Sequence, residues 1–439
     1  MTPAPHSAAT RQPRSVGQRT SRRRAARVAW AILALSLTGG AAMALSAPDR
    51  PAAMNAAATT SLGAPASADP GPSSATAAAA DTTAGGRAVD GRTAPAQTTA
   101  ASKGTSQTTS PTTASAIPGS SAGPAPAAPC ALGAKLVPTC GVLWGAAPAA
   151  FDFGDRLALT RTFEAVQGRP IDVYHGYKSD GILFPSAVEL SIANDPTTPR
   201  LLMINWRPDT THTWKSVAQG GIDARIDKLA AYIKTAYNKP FFMAIWHEPE
   251  HFVNATAGSG MEATDYRDMV RHVITRLRAQ GVTKVSFVQI YQGFPKFAAL
   301  SWWPNLYPGD DVIDWIASDS YNSGKSTGYN SGDFNTMVNR VKANWNGFYN
   351  WATTKHPGKP LMLGEWGVFY QSTDPGRQAW FFNDVKANLA KYPALKMMSY
   401  FNAAVLDKGT TRIDASAASR DAYRSLSNSI PRIDITTAR

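Results

Sequence analysis

Residues Pro240–Glu250 read PFFMAIWHEPE: a proline, an unbroken apolar run, then a tryptophan, a histidine and a glutamate in direct succession. An apolar run of about six residues without polar alternation suits a strand buried on both faces of a parallel sheet. Its polar residues then fall where the strand emerges. Lys359–Phe369, KPLMLGEWGVF, repeats the design and again ends in a glutamate beside a tryptophan.

Outward from these two segments, strand-like and helix-like stretches alternate from Cys140 onward, as repeated βα units require. Strands are predicted over Gly141–Trp144, Ile171–Tyr177, Leu201–Trp206, Phe241–Trp246, Lys284–Tyr291, Val312–Asp319, Pro360–Gly364 and Leu395–Phe401. Amphipathic stretches predict helices over Ile222–Tyr237, Thr264–Gln280, Asn335–Lys355 and Gly376–Tyr392, with Gly281 and Gly358 in helix-stopping positions. The connection around Phe184–Pro199 is the least regular, and WWPNLYPGDD in the fifth shows no clear helix. Successive right-handed βα units either close into a barrel or form an open doubly wound sheet. No glycine-rich phosphate loop follows the first strand, so the expected fold is a (β/α)8 TIM barrel occupying residues 129–439.

The leading residues are of another kind. Arg11, Arg14, Arg19, Arg22, Arg23, Arg24 and Arg27 stand without an acidic neighbour, and the largely apolar run Val28–Ala47 follows. Residues 1–47 therefore read as an export signal, cleaved near AAMALSA or retained as a membrane anchor through residues 28–47. Residues 48–128 are dominated by Ala, Thr, Ser, Pro and Gly with no aromatic side chain to seed a core, the composition of a disordered linker. The expected location is outside the cytoplasm, secreted or anchored.

The formal net charge of +13 is mostly a property of that leader. Residues 1–128 hold 11 Lys or Arg and 4 Asp out of totals of 44 and 31, leaving 33 basic and 27 acidic residues, or about +6, for the rest. No basic run with interleaved aromatics appears there, so no nucleic-acid partner is expected. Cys130 and Cys140 are the only cysteines. In an exported chain they suit a small disulfide loop at the domain's start, two free thiols being the alternative; alone they build no redox or metal site.

The last residues of the predicted strands are His175 and Tyr177, Trp206 and Arg207, Trp246 to Glu248, Tyr291 and Gln292, Asp319 and Tyr321, Glu365 and Trp366, and Tyr400 and Phe401. In a TIM barrel that end is where active sites collect. Aromatic faces beside hydrogen-bonding groups fit a carbohydrate, whose CH faces stack on rings while its hydroxyls need directed partners. Trp206, Trp246, Tyr291, Asp319, Trp366 and Tyr400 are the candidate substrate contacts, with core packing the alternative for any single ring. Glu248 and Glu365, arriving from different strands, are the candidate catalytic pair, because retaining hydrolysis of a glycosidic bond needs a proton donor and an attacking carboxylate. Trp246 and His247 can desolvate and orient Glu248 for a general-acid role, and Tyr321 can donate a hydrogen bond that keeps Glu365 ionised.

His247, Glu248 and His251 also spell H-E-x-x-H, the zinc-peptidase pattern. That pattern needs a helix to bring both histidines onto one face. Pro249 stands in its middle, at a cost of about 3 kcal/mol to a helix, and no third ligand follows at suitable spacing. No metal and no cofactor are expected.

With these motifs the chain resembles glycoside hydrolase family 26, of the clan of retaining TIM-barrel glycosidases, over roughly Trp144–Phe401. The resemblance is carried by WHEPE at the fourth strand, DSY at Asp319–Tyr321 and GEWG at the seventh. It implies Glu248 as acid/base, Glu365 as nucleophile and His247 and Tyr321 as supporting residues, acting on a β-linked polysaccharide. β-Mannan is the default, with mixed-linkage β-glucan, β-1,3-xylan or a microbial exopolysaccharide as further choices. Ala244 stands where family mannanases usually carry an arginine, and Glu250 and His251 follow where they usually carry aromatics, which leaves the sugar open. A monomer is expected. A barrel that binds polysaccharide without cutting it is the competing reading.

Overall fold

The computed structural model describes residues 130–438 apart from 151, 153 and 406–408. The export segment expected over 1–47 and the linker expected over 48–128 lie outside the described residues. Among the described residues no helix is long and apolar enough to cross a membrane.

Eight parallel strands close into a barrel in chain order: β1 (Leu143–Pro148), β2 (Val173–Ser179), β3 (Leu201–Arg207), β4 (Phe241–Ile245), β5 (Val285–Tyr291), β6 (Trp315–Asn322), β7 (Leu361–Val368) and β8 (Leu395–Asn402). β1 completes the ring against β8, from Leu143↔Met397 to Pro148↔Asn402. The expected TIM barrel is therefore the observed fold. Side chains alternate between the two faces of each strand. Val173, Met203, Phe242, Val288, Trp315 and Met397 fill the inside of the barrel, while Trp144, Ile204, Met243 and Met398 pack outward against the helices. Both sets are apolar, which is why the strands read as continuous apolar runs.

The helices Asp223–Ala236 and Ala263–Ala279 fall where amphipathic patterning predicts them, and Gly281 and Gly358 adopt the left-handed φ of helix stops. The irregular second connection holds one short helix, Ala187–Ala193, started by a Ser186/Glu189 capping box. The fifth holds only Pro295–Ala298 and a 3-10 turn, Trp303–Leu306. One prediction is corrected: Asn335–Lys355 is two short helices, Phe334–Val338 and Phe348–Lys355. Gly347, at φ 91°, lies outside the right-handed helical region and starts the second of them, and a Cβ there would meet Asn339 Oδ1 at 2.0 Å, so the position needs glycine.

At the strand-start end, Cys130 and Cys140 form the expected disulfide, with Cα atoms 5.3 Å apart. Leu132 and Leu136 of this loop join the apolar filling of the barrel, and Trp315 donates its indole N–H to the Lys135 carbonyl at 2.7 Å. The C-terminal segment meets the same loop: Asp434 donates its backbone N–H to the Cys130 carbonyl at 2.8 Å. Together they floor the barrel. Its open mouth is at the strand-finish end.

Candidate active site

At the end of β4 the backbone leaves the strand through two left-handed residues, Trp246 and Glu248, each at φ 53°. Non-glycine residues avoid this region because Cβ crowds the neighbouring carbonyl, at a cost of about 1–2 kcal/mol each. The neighbouring strands hold the shape: Trp246 N–H donates to the Trp206 carbonyl at 2.8 Å and Glu248 N–H to the Ile290 carbonyl at 3.0 Å. The twist turns His247 and Glu248 into the barrel mouth, where they are 5 % and 4 % exposed.

β7 reaches the mouth by another route. Leu361, Leu363, Trp366 and Val368 all pack in the outer layer, so strict alternation breaks between Leu363 and Trp366, where the pairing register also shifts. On the β6 side, Ser318 pairs with Leu363 but Asp319 pairs with Glu365, leaving Gly364 as the extra residue of a bulge. The bulge re-aims Glu365 inward. Gly364 also provides the room, since a Cβ there would stand 2.8 Å from Asp319 Oδ1 and 3.1 Å from Ile290.

Two phenols meet the Glu365 carboxylate. Tyr321 donates to Oε2 at 2.6 Å, as the sequence predicts, and Tyr177 donates to Oε1 at 2.7 Å. His247 Nε2 lies 3.9 Å from Oε1. Tyr177 stands among the strand-end residues of the sequence without a role there, and its bond to Glu365 is what sequence reasoning missed. Its signal was the alternation in VYHGY, which puts His175 and Tyr177 on one face of β2. His175 in turn lies 3.4 Å from the Tyr177 hydroxyl and 3.2 Å from Ser399 Oγ through Nδ1.

The charges follow from this packing. Burial pushes His175 down to about 3 and, with Arg207 and His175 nearby, holds His247 well below the ordinary imidazole value, so both rings are neutral at pH 7. Burial raises Glu365, while the two phenols pull it back. Asp319 beside it is 1 % exposed, no side chain among the described residues donates to its oxygens, and burial followed by the charges of Glu365 and Glu248 raises it well above the carboxylate range. Both carboxyls are raised, Asp319 the further of the two, because Glu365 has two phenol donors and Asp319 has no side-chain donor among the described residues. Glu250, two residues past Glu248, accepts N–H donors from Gln292 at 3.0 Å and Trp303 at 3.3 Å, and burial pushes it up to about 7. It ties the β4 exit to the β5 exit.

Several expected substrate contacts are corrected. Trp206, Tyr291, Trp366 and Tyr400 are 1 %, 1 %, 0 % and 0 % exposed and sit in the layer between strands and helices. Alternation points Trp206, Tyr291 and Tyr400 outward, and the bulge at Gly364 turns Trp366 out. Trp366 packs on Trp144 and Tyr400, and Tyr400 donates its hydroxyl to the Thr411 carbonyl at 2.6 Å. Trp246 is 5 % exposed, with the Arg207 guanidinium 5.1 Å above its ring. The rings that cluster at the mouth are Tyr177, Tyr321, Phe369 and Phe401. Asp319 stays within the site.

His247, Glu248 and Asp319 bring ligand atoms within 4.8 Å of one another and are the described residues that could hold a cation. His251 is outside that group. It ends a 3-10 turn, Pro249–His251, in place of the helix that the zinc pattern needs, and its ring packs on Phe297 at 5.1 Å.

No family model matches the chain. Among curated proteins, Endoglucanase H of Acetivibrio thermocellus is 28 % identical over 181 residues, which are 39 % of this chain and 19 % of that protein. The chain thus matches about a fifth of that relative's length. Among solved structures it is similar to the GH26 β-mannanase BoMan26A of Bacteroides ovatus, 19 % identical with a TM-score of 0.46, over 67 % of this chain and 90 % of that one. It is also similar to a Cellulomonas fimi endo-β-1,4-mannanase double mutant, 17 % identical with a TM-score of 0.46, over 68 % and 76 %. A ruminal GH26 endo-β-1,4-mannanase is 14 % identical with a TM-score of 0.45, over 65 % and 63 %.

Proposed function

We propose that this chain is an exported, retaining glycoside hydrolase of the family 26 kind that cleaves a β-linked polysaccharide. One observation carries the reading: a buried glutamate at the mouth of a TIM barrel has a phenol donor on each carboxylate oxygen, and a second strand delivers another glutamate to the same mouth. In this mechanism Glu365 attacks the anomeric carbon as Glu248 gives its proton to the departing glycosidic oxygen, forming a glycosyl ester. Glu248 then takes a proton from a water that opens the ester, which restores both carboxyl groups. Tyr177 and Tyr321 fix the attacking oxygens and favour their charged form. Neutral His247 adds bulk and a hydrogen-bonding edge without a charge that would compete for Glu365. In its protonated form, which burial beside Glu365 favours, Asp319 can donate to a sugar hydroxyl instead of repelling Glu365.

β-Mannan is the default substrate from the motif resemblance. The test is reducing-sugar release by the purified protein from galactomannan, mixed-linkage β-glucan, β-1,3-xylan and cellulose, with the product anomer read by NMR. Release that disappears in Glu365→Ala, with the anomeric configuration kept, is the expected result. Silence on every polymer, with polymer binding retained, would replace this reading by a non-catalytic binding barrel.

A further inference from the structure

Beside the carboxylates, the segments that follow β5 and β6 enclose a groove of about 560 Å³, within the size range of small-ligand sites. Lys296, Arg340 and Lys342 line it, and no acidic side chain does. None of these three cations has a carboxylate partner among the described residues. Arg340 is half-buried against a pair of rings, its guanidinium carbon 5.3 Å from the centre of Phe294 and 5.9 Å from that of Tyr329. Among the described residues its guanidinium donates one hydrogen bond, 3.4 Å long, to the Tyr321 carbonyl. The other end of the same tyrosine donates to Glu365. One residue therefore separates the groove from the reactive carboxylate.

A guanidinium has five N–H donors, and taking it partly out of water without a counter-charge is unfavourable. Two lysines lining the same groove add repulsion. An anion in the groove would remove both costs, and a planar carboxylate matches the guanidinium fork. Tyr329, 56 % exposed on the groove wall, supplies the flat face on which a pyranose ring stacks. We propose that the groove is a subsite for an acidic sugar, a carboxylate-bearing residue of a β-linked polysaccharide bound next to Glu365. The proposal rests on the functional reading above only in taking polysaccharide as the ligand class.

Affinity electrophoresis of the Glu365→Gln protein tests it without turnover. The gels contain carboxymethylcellulose or glucuronoxylan, each run against its carboxyl-reduced form. The acidic polymers are expected to retard the protein, the reduced forms several-fold less. Arg340→Gln should weaken the acidic binding roughly tenfold and Arg340→Lys less, because the lysine keeps the charge without the fork. A thermal melt checks that Arg340→Gln is folded; should it fail to fold, the exposed pair Lys296→Gln/Lys342→Gln carries the same expectation. Equal retardation by acidic and reduced polymers, no retardation by either, or an equal loss from the remote Lys391→Gln overturns the proposal. The hydrolase reading fails separately: intact protein that binds acidic polymers through Arg340 yet releases no reducing sugar from them or from the neutral panel keeps the groove and loses the enzyme.

Discussion

The exits of β4 and β7 deliver the same thing, a glutamate into the barrel mouth, by opposite means. β4 does it with two left-handed non-glycine residues pinned by β3 and β5, and so with backbone strain. β7 does it with one extra residue, Gly364, and so with space. The site of strain is also the site proposed for proton transfer, and the roomy site is the one where two phenols fix the carboxylate. Strain tends to persist at functional positions only when surrounding contacts over-determine it. Here the pinning hydrogen bonds from Trp246 and Glu248 do that, and the bulge at β7 needs no such support.

Three changes would break or sharpen this contrast. The largest effect is expected where β7 invests its contacts: the double change Tyr177→Phe/Tyr321→Phe should lower kcat on the released polymer by at least roughly 10²–10³-fold, the scale of losing one preorganised donor. The phenols lower the Glu365 pKa, so their removal raises it, and the acid limb of the kcat/KM profile should move to higher pH. An unmoved limb would separate Glu365 from that limb. Next comes Gly364→Ala, which forces a Cβ against Asp319 and Ile290 and should cost about 1–3 kcal/mol in urea unfolding together with activity. The smallest effect is the most specific. At position 248, glycine should be more stable than alanine by about 1 kcal/mol, because only glycine takes φ 53° freely. At position 365, which has no positive φ, the order should reverse by about 0.5–1 kcal/mol. The same order at both positions would mean that the two exits do not differ in strain.

Most of the architecture was legible because the relevant signals are local. FFMAI and LMLGEWGV announce buried strands by their lack of alternation, and a carboxylate after such a run is conspicuous. What was not legible depends on face. Trp366 and Tyr400 stand next to inward-facing residues, and composition alone does not say that a bulge turns Glu365 in while leaving Trp366 out. Tyr177 was hidden for the complementary reason: its partner is 188 positions away, on a strand across the barrel. The split at Gly347 is of a third sort, a backbone conformation that an amphipathic pattern running through Asn335–Lys355 does not reveal.

The floor of the barrel brings the two ends of the described chain together. Cys130 and Asp434 share a backbone hydrogen bond, Leu132 N–H donates to Thr437 Oγ1 at 2.9 Å, and Ile433 fills the same apolar layer as Leu132. Both ends thus lie at the face opposite the carboxylates. A support or fusion partner joined at either of them grips the molecule by its base and leaves the mouth free, so the direction in which the barrel opens can be chosen from the point of attachment.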